Sequence, residues 1–492
     1  MEATQPDEPV GAPEIDPSEV NLEQRIGSGT FGVVYRATCR GQPVAVKIPR
    51  RQELSEKQLA SFRREVAVLK RCWHPNIVLF LGACSRPGSF FLVTDLLLGD
   101  LESLLRSPES NLSPTLKHSF AKDTALAMNW LHGISHMIHR DLKPANLLYD
   151  AAMRVKVTDF GFSQLRVDNV QFRDQKGPKG SALWMAPEVL LRQPFDEKID
   201  VYAFGLILWE LQTQEVLFPQ YDDFGPFSDA VAKRGERPPI STMLEAQQPS
   251  LVALMQDCWR ADPATRPSFG EVLPRLDQVQ LEMAVSDVAA RQFWMRRFAN
   301  DDGTIQESAT WRAFSAALVS ETSCDPSTLV ELESLFTVRE RRDGAPSVTL
   351  AHFNQLVLWF GRFFDGEQGR AALRLARSLL DEAWFHGAID RPDAERRLLN
   401  RPENTFLMRL SSSKDDHPFT MSVLRQSTLG LVPQHKRVRH VHGSGQYFFP
   451  VAGGTRCFSS LFDLVHSPDC GFTFPCPRES VDSPYVTSYS EF

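Results

Sequence analysis

Gly27-Ser28-Gly29-Thr30-Phe31-Gly32 sets three glycines between two strand-like runs, where backbone amides with no side chains in the way can approach phosphate oxygens. Alone, such a run reads equally well as a tight turn. Val44-Ala45-Val46-Lys47 has strand character, and the period of two puts Ala45 and Lys47 on one face, fit for a flat base and its phosphates. A solitary strand lysine is more simply a solvated one, but Lys47 has company. Ser55-x-x-Gln58 opens a helix with a capping-box pattern, Phe62, Val66 and Leu69 mark its buried stripe, and Glu65 lies beside them, able to reach back to Lys47. A second unusual charge is Arg409, inside a strand-like run where Phe406, Met408 and Leu410 face one way and Leu407, Arg409 and Ser411 the other. An arginine so placed needs either a private acid or an anion brought from outside.

These groups are positioned by segments of different character. Residues 1–18 have the composition of a disordered arm. From 20 to about 100 the chain is β-rich, and from there to 281 apolar residues recur at helical spacing, which suggests two lobes. Residues 282–381 read as helices only, over 285–298, 310–319, 326–336, 349–363 and 369–380. Residues 384–478 read as a small α+β domain, with a short helix, strands at 405–410, 419–423 and 437–441, and a helix near 459–465. Residues 479–492 read as a Ser- and Tyr-rich tail. The whole is an α+β multidomain chain.

Composition narrows the function classes. With 492 residues, 42% hydrophobic and 23% charged, the chain is neither collagen-like nor wholly disordered, and it is long enough for several cores. Its 54 basic and 61 acidic residues leave a net charge of −7, with no cationic excess for a nucleic-acid backbone, so nucleic acid is not expected as a partner. Eight cysteines without a Cys-x-x-Cys pair argue against a disulfide scaffold or a zinc ribbon. No signal-peptide pattern and no apolar run of spanning length is present, so a cytoplasmic protein without direct membrane insertion is expected, reaching membranes through its partners.

His139-Arg140-Asp141-Leu142-Lys143-Pro144-Ala145-Asn146, followed by Asp159-Phe160-Gly161 and Ala186-Pro187-Glu188, completes a series that resembles the eukaryotic protein kinases over 20–281. His74-Pro75-Asn76-Ile77-Val78, the Trp184-Met185 pair before Ala186, Asp200-Val201-Tyr202-Ala203-Phe204-Gly205 and Asp262-Pro263-x-x-Arg266-Pro267 resemble the tyrosine-kinase-like group in particular. The resemblance implies a bilobal protein kinase fold using ATP and Mg2+. It implies that Lys47 grips the α and β phosphates while Glu65 fixes it, and that Asn146 and Asp159 hold magnesium. Asp141 would orient the attacking hydroxyl and accept its proton, and Lys143 would neutralise charge on the transferred group. Ile26, Gly27, Ser28, Gly29, Thr30, Phe31 and Gly32 would cover the nucleotide. Val34, Ala45 and Leu148 would sandwich adenine, and the hinge would follow Thr94, with backbone groups of Asp95 and Leu97 meeting the base edge. Glu188 and Arg266 resemble the family's buried structural ion pair.

Lys143 and the Gly180-Ser181 pair resemble the serine/threonine forms of their loops, so serine and threonine are the expected acceptors, with tyrosine as a second one. Between Gly161 and Ala186 the hydroxyl side chains are Ser163 and Ser181, and Ser181 resembles the family's structural Thr. The segment is therefore expected to be ordered without phosphorylation, with Arg140 paired to another anion.

Trp384-Phe385-His386-Gly387, Ile389, Arg391, the Arg409 strand, Phe419-Thr420-Met421-Ser422-Val423 and His435-Lys436-Arg437-Val438 resemble an SH2 domain. On that resemblance Arg409 makes the bidentate contact to phosphotyrosine, with Arg391, Ser411, Ser413, His435 and Arg437 around the phosphate. Lys436 replaces an aromatic common at that point.

Within 282–381, Asn300-Asp301-Asp302-Gly303-Thr304-Ile305 is similar to a calcium loop, but with Gly303 at position six Phe298 falls first and Ala309 twelfth, so the outer ligands are missing. The segment reads as a helical spacer that resembles the EF-hand-like linkers of Cbl and STAT proteins, expected to pack on the SH2 domain. Tyr485 and Tyr489 read as part of a solvated tail, with docking into the Arg409 pocket as the alternative. A kinase ahead of an SH2 domain resembles the Shk-type dual-specificity SH2 kinases of amoebae. The function expected is ATP-dependent phosphorylation of protein substrates, with the SH2 domain delivering the enzyme to phosphotyrosine-containing partners. The rival is an adaptor whose kinase fold is a scaffold.

Overall fold

The computed structural model describes residues 14–28, 32–165, 181–300, 304–337, 345–360, 363–364, 366–411, 417–428, 430–441, 446–451 and 453–477. The chain divides into two compact units, 1–280 and 281–492. No helix among the described residues is long and apolar enough to cross a membrane.

The first unit begins with an antiparallel sheet of β1 (Val20–Ser28), β2 (Gly32–Cys39), β3 (Gln42–Pro49), β4 (Phe80–Cys84) and β5 (Phe91–Asp95), in the order β1-β2-β3-β5-β4. Val44 and Val46 of β3 are buried with Ala37, Cys84 and Val93, while Ala45 and Lys47 take the other face, as their alternation requires. Helix α1 (Glu56–Arg71) is started by the Ser55/Gln58 capping box and turns Phe62, Val68 and Leu69 inward. The arm is shorter than its composition suggests. Ile15 is buried in the sheet's core, its N–H bonds Ala83 O at 2.9 Å, and Asp16 and Glu19 form a capping box around a short 3-10 turn. One apolar side chain and two capping acids suffice to fix 14–18, while 1–13 lie outside the described residues.

The rest of this unit is helical around Lys198–Thr213, in which thirteen consecutive residues from Ile199 to Leu211 are buried. A helix apolar on all sides belongs in the middle of a lobe. Beside it runs Pro114–Gly133, which packs in turn on Val155–Val157 of a three-stranded sheet completed by Gly99–Asp100 and Leu147–Tyr149. Glu188 and Arg266 form the expected ion pair, two bonds of 2.6 and 2.8 Å between side chains almost without exposure.

The second unit corrects the helices-only reading of 282–381. Its helices are Val288–Phe298, Trp311–Thr322, Pro326–Phe336, Leu350–Phe360 and Gly366–Asp381, but Ser308–Thr310 and Ser347–Thr349 pair antiparallel. Strands of three residues carry too little alternation to be read from sequence. The arrangement is helix, loop, strand, helix, twice over, joined by that ladder. Asp301, Asp302 and Gly303 lie outside the described residues; around them Asn300 Nδ2 donates to Thr304 Oγ1 and Gln306 Nε2 to Asn300 Oδ1. The small domain has six strands where three were expected, Thr405–Leu410, Phe419–Ser427, Gly430–Val441, Gln446–Val451, Gly454–Phe458 and Phe474–Pro475, flanked by Arg391–Leu398 and Leu461–His466. Helical segment and sheet share one core: Phe293, Trp294, Phe314, Phe353 and Phe360 are continuous with Phe406, Met408, Phe419 and Met421. The expected mutual packing is present.

Candidate functional site

In the first unit the strand period and the α1 stripe bring Lys47 and Glu65 together at 2.7 Å, and the same ammonium reaches Asp159 Oδ1 at 3.1 Å. Burial works against the Lys47 charge, but the two carboxylates outweigh it and hold its pKa above the ordinary lysine value. At Asp159 burial raises the carboxyl and Lys47 more than reverses that, leaving it below its ordinary value, whereas burial prevails at Glu65 and raises it. Two acids on one lysine leave the floor of the site acidic.

Asp159 stands in the left-handed region, φ 63°, ahead of a short turn at Phe160–Phe162, and Arg140 has φ 71°. Strained backbone at non-glycine residues of this kind is characteristic of active sites. What holds it at Arg140 is Asp200, at the start of the buried helix: its carboxylate accepts from the N–H groups of His139 (2.8 Å) and Arg140 (2.9 Å) and bonds His132 Nε2 at 2.8 Å. His132, His139 and the Arg140 N–H together outweigh burial and depress the Asp200 carboxyl. In the sequence Asp200 stands within a motif and has no role of its own assigned. Its signal was an acid inside an otherwise apolar helix.

Asp141 is buried, accepting from the Ser181 N–H (Oδ1, 2.8 Å) and from Asn146 Nδ2 (Oδ2, 3.0 Å). Lys143 lies 3.1 Å from Asp141 Oδ2 and 2.5 Å from Ser181 Oγ. Because the Asn146 amide nitrogen is engaged by Asp141, its carbonyl oxygen is left for other use, and Asp159 has a second oxygen beyond the one on Lys47. Hard oxygen donors of this kind suit a magnesium ion.

Ile26, Gly27 and Ser28 end β1, with Gly27 opposite Val34 across the ladder. Gly32 opens β2 so close to β3 that a Cβ there would meet Ile48 O at 2.3 Å. Gly29, Thr30 and Phe31 lie outside the described residues. Val34 pairs with Lys47 and Ala45 with Thr94, so these four share one patch of sheet. After Thr94 the connection carrying Asp95 and Leu97 runs beside the strand of Leu148, because Leu98 N donates to Tyr149 O at 2.9 Å. The Asp95 carboxylate is taken by Leu79 N–H and Lys156 at 2.8 Å each. Arg140 donates to the neutral Gln164 Oε1 at 2.8 Å and lies 5.0 Å from the centre of the Phe195 ring. Most of the segment between Gln164 and Ser181 lies outside the described residues.

In the second unit Arg409 is 8% exposed, on a strand buried on both faces. One guanidinium nitrogen makes a 3.4 Å bond to Ile389 O, and its Nε, fully buried, has no partner among the described residues. Burial lowers its pKa, and Arg391 and Arg437 add to that against the pull of Asp390 and Glu395. Among the described residues no private acid pairs with it. Around it, His435 bonds Ser422 Oγ (Nδ1, 2.9 Å) and Glu395 Oε1 (Nε2, 3.0 Å), Arg391 donates to the same oxygen at 2.8 Å, and Arg437 pairs with Thr420 in the ladder. Ser411 N–H bonds Pro418 O, its carbonyl accepts from Trp359 Nε1 at 3.2 Å, and Ser413 lies outside the described residues. Lys436 turns to Phe449 and Pro450 O. Glu395 was missed because an acid one helical turn from Arg391 reads as a solvated pair.

Two separate sets of polar side chains thus sit in one chain, one around Lys47 and Asp141 in the first unit and one around Arg409 in the second. The family model of protein tyrosine and serine/threonine kinases matches residues 20–276, and that of SH2 domains matches 384–467. The chain belongs to the protein kinase family and carries an SH2 domain C-terminal to its kinase domain. Among curated relatives, it is 41% identical to "Dual specificity protein kinase shkE" and to "Dual specificity protein kinase shkD", both of Dictyostelium discoideum. The matches cover 97% and 95% of this chain and 68% and 62% of those proteins. The kinase part alone is 40% identical to "Serine/threonine-protein kinase CTR1" of Arabidopsis thaliana, over 52% of this chain and 31% of that protein.

Proposed function

We propose that this chain transfers the γ-phosphoryl group of ATP to serine and threonine hydroxyls of proteins, and to tyrosine as a second acceptor, and that its SH2 domain carries it to phosphotyrosine-marked partners. The observation that carries the reading is the closed set Lys47–Glu65, Lys47–Asp159 and Asp141–Asn146, completed by Lys143 and Ser181. An adaptor that had lost catalysis would have no use for it.

Lys47, fixed by Glu65, binds the nucleotide phosphates, and Val34, Ala45 and Leu148 take the base, with the backbone of Asp95 and Leu97 along its edge. Asn146 and Asp159 hold Mg2+, which when bound neutralises phosphate charge. Asp141 orients the acceptor hydroxyl and takes its proton, and Lys143 stabilises charge building on the transferred group. Ser181 places the acceptor segment against Asp141 through its N–H bond. The serine/threonine preference rests on the Lys143–Ser181 contact, and tyrosine on the names of the two Dictyostelium relatives. In the SH2 domain Arg409 binds the phosphate, with Arg391, Ser411, Ser413, His435 and Arg437 around it. Tethering to a marked partner raises the local substrate concentration to about millimolar for a short linker. A cytoplasmic location, with membrane contact through partners, belongs to the same reading, and eight cysteines without a disulfide support its first half.

Phosphoamino-acid analysis of labelled products, beside an Asp141→Asn control, tests this. Phosphoserine and phosphothreonine with some phosphotyrosine, all absent from the control, are expected. Intact ATP binding with no transfer above the control would establish the adaptor instead.

A further inference from the structure

The phosphate pocket of the second unit already holds an anion, and it is the protein's own. Glu395 Oε1 accepts from Arg391 Nε at 2.8 Å and bonds His435 Nε2 at 3.0 Å, so two of the side chains assigned above to the phosphate pocket converge on one carboxylate oxygen. Hydrogen bonds from Arg391 and then from His435 hold the Glu395 carboxyl below its usual range. His435 is itself fixed from behind by Ser422 Oγ at 2.9 Å. Arg409, by contrast, is more than nine-tenths buried, and its Nε has no partner among the described residues. The pocket is therefore divided. The Nε of its deep arginine is unsatisfied, and two of its rim side chains are held by a carboxylate from the helix Arg391–Leu398.

We propose that Glu395 is an internal competitor of the incoming phosphate and sets the affinity threshold of the pocket. This rests on the reading of Arg409 as the phosphotyrosine-binding residue. A phosphate dianion that engages Arg409 gains Arg391 Nε and His435 Nε2 only by taking those two hydrogen bonds from Glu395, and the displaced carboxylate stays nearby as a like charge. Weak ligands fail this exchange and strong ones complete it. Arg391 is 68% and Glu395 39% exposed, so removing the carboxylate should cost the fold little.

The test uses the full chain after phosphatase treatment, titrated calorimetrically at fixed ionic strength with a phosphotyrosyl peptide and with phenyl phosphate. Wild type, Glu395→Gln and Arg409→Ala are compared, with thermal unfolding as a check on each. Glu395→Gln is expected to bind both ligands about tenfold tighter, a factor worth about 1.4 kcal/mol, with an unchanged melting temperature. Unchanged or weaker binding by Glu395→Gln, while Arg409→Ala abolishes it, overturns the proposal and makes Glu395 a residue that orients Arg391 and His435. Equal binding by wild type and Arg409→Ala overturns the reading of the pocket itself, and the competitor with it.

Discussion

Lys47 and Arg409 are both cations set on strands, and the proposed function gives both to phosphate, yet they are held in opposite ways. Lys47 is pinned by two carboxylates at 2.7 and 3.1 Å, so its ammonium is held in place before any nucleotide arrives. Arg409 is pinned by packing, on a strand buried on both faces, and its buried Nε–H is unsatisfied among the described residues. The difference follows from the task. A group that must serve a transition state gains from fixed geometry and a field shared with neighbouring acids. A group that must only bind gains more from hydrogen bonds withheld until the ligand brings its own acceptors.

The largest effect should come from the proton acceptor of the cleft. Asp141→Asn keeps the side-chain volume and an acceptor for the Ser181 N–H but sets an amide N–H group against Asn146 and Lys143, so a modest loss of stability is expected while kcat falls by about 10³-fold, the middle of the range for general base catalysis. Stopped-assay kinetics beside thermal unfolding measure both, and a loss under tenfold would remove Asp141 from the chemistry. Truncating each of the two cations tests the contrast between them. Lys47→Ala leaves Glu65 and Asp159 facing each other over a cavity and should cost about 3 kcal/mol of unfolding free energy. Arg409→Ala removes a buried charge that has no counter-ion among the described residues and should cost nothing or stabilise, while abolishing phosphopeptide binding. Denaturant titration of both variants decides it; equal losses would mean that Arg409 is held by its neighbours as firmly as Lys47 is.

Glu210 extends the comparison to an acid. It accepts from Arg106 at 2.6 Å and from Trp184 Nε1 at 2.8 Å, yet burial pushes its carboxyl up to about 7 from the ordinary 4.5. Its folded pKa is raised, so between about pH 4.5 and 7 the native state binds more protons than the unfolded one, and stability falls as pH rises through that window. Glu210→Gln should flatten that slope, on the order of 2 kcal/mol across the window. Unfolding free energies at about pH 5 and 7 for both proteins measure it, and an unchanged slope would show that the two donors already offset the burial.

The cleft was legible in the sequence because its chemistry fixes residue types at fixed spacings: Lys47, Asp141, Asn146 and Asp159 stand where the motifs put them. What escaped was what positions them. Asp200 acts through backbone N–H groups, which no residue pattern displays. Ile15 anchors a segment whose composition reads as a solvated arm. In the second unit Arg409 announced itself as a charge amid apolar alternation, but Glu395 did not, since helical periodicity pairs it with Arg391 and is silent about a histidine forty residues on in another strand. The paired strands Ser308–Thr310 and Ser347–Thr349 were lost to their brevity.

The smallest effect concerns the shared core of the second unit. The helical segment was expected to pack on the SH2 domain, and Trp359 gives that packing a direct line to the pocket, because its Nε1 donates to the carbonyl of Ser411 at 3.2 Å. Ser411 follows Arg409 by two residues on the same strand line, and its N–H closes on Pro418, so Trp359 holds the chain where it leaves the sheet beside the phosphate site. Trp359→Phe keeps most of the apolar contact and deletes the donor, leaving a buried carbonyl with one partner fewer. The cost should be about 1 kcal/mol of stability, with phosphopeptide affinity down by about twofold to fivefold as the Ser411 edge loosens, on the same free-energy scale. Full-chain unfolding and calorimetric titration give both numbers. A loss of stability without any loss of affinity would mean that the sheet alone fixes the pocket, and that the helical segment contributes core but no control over binding.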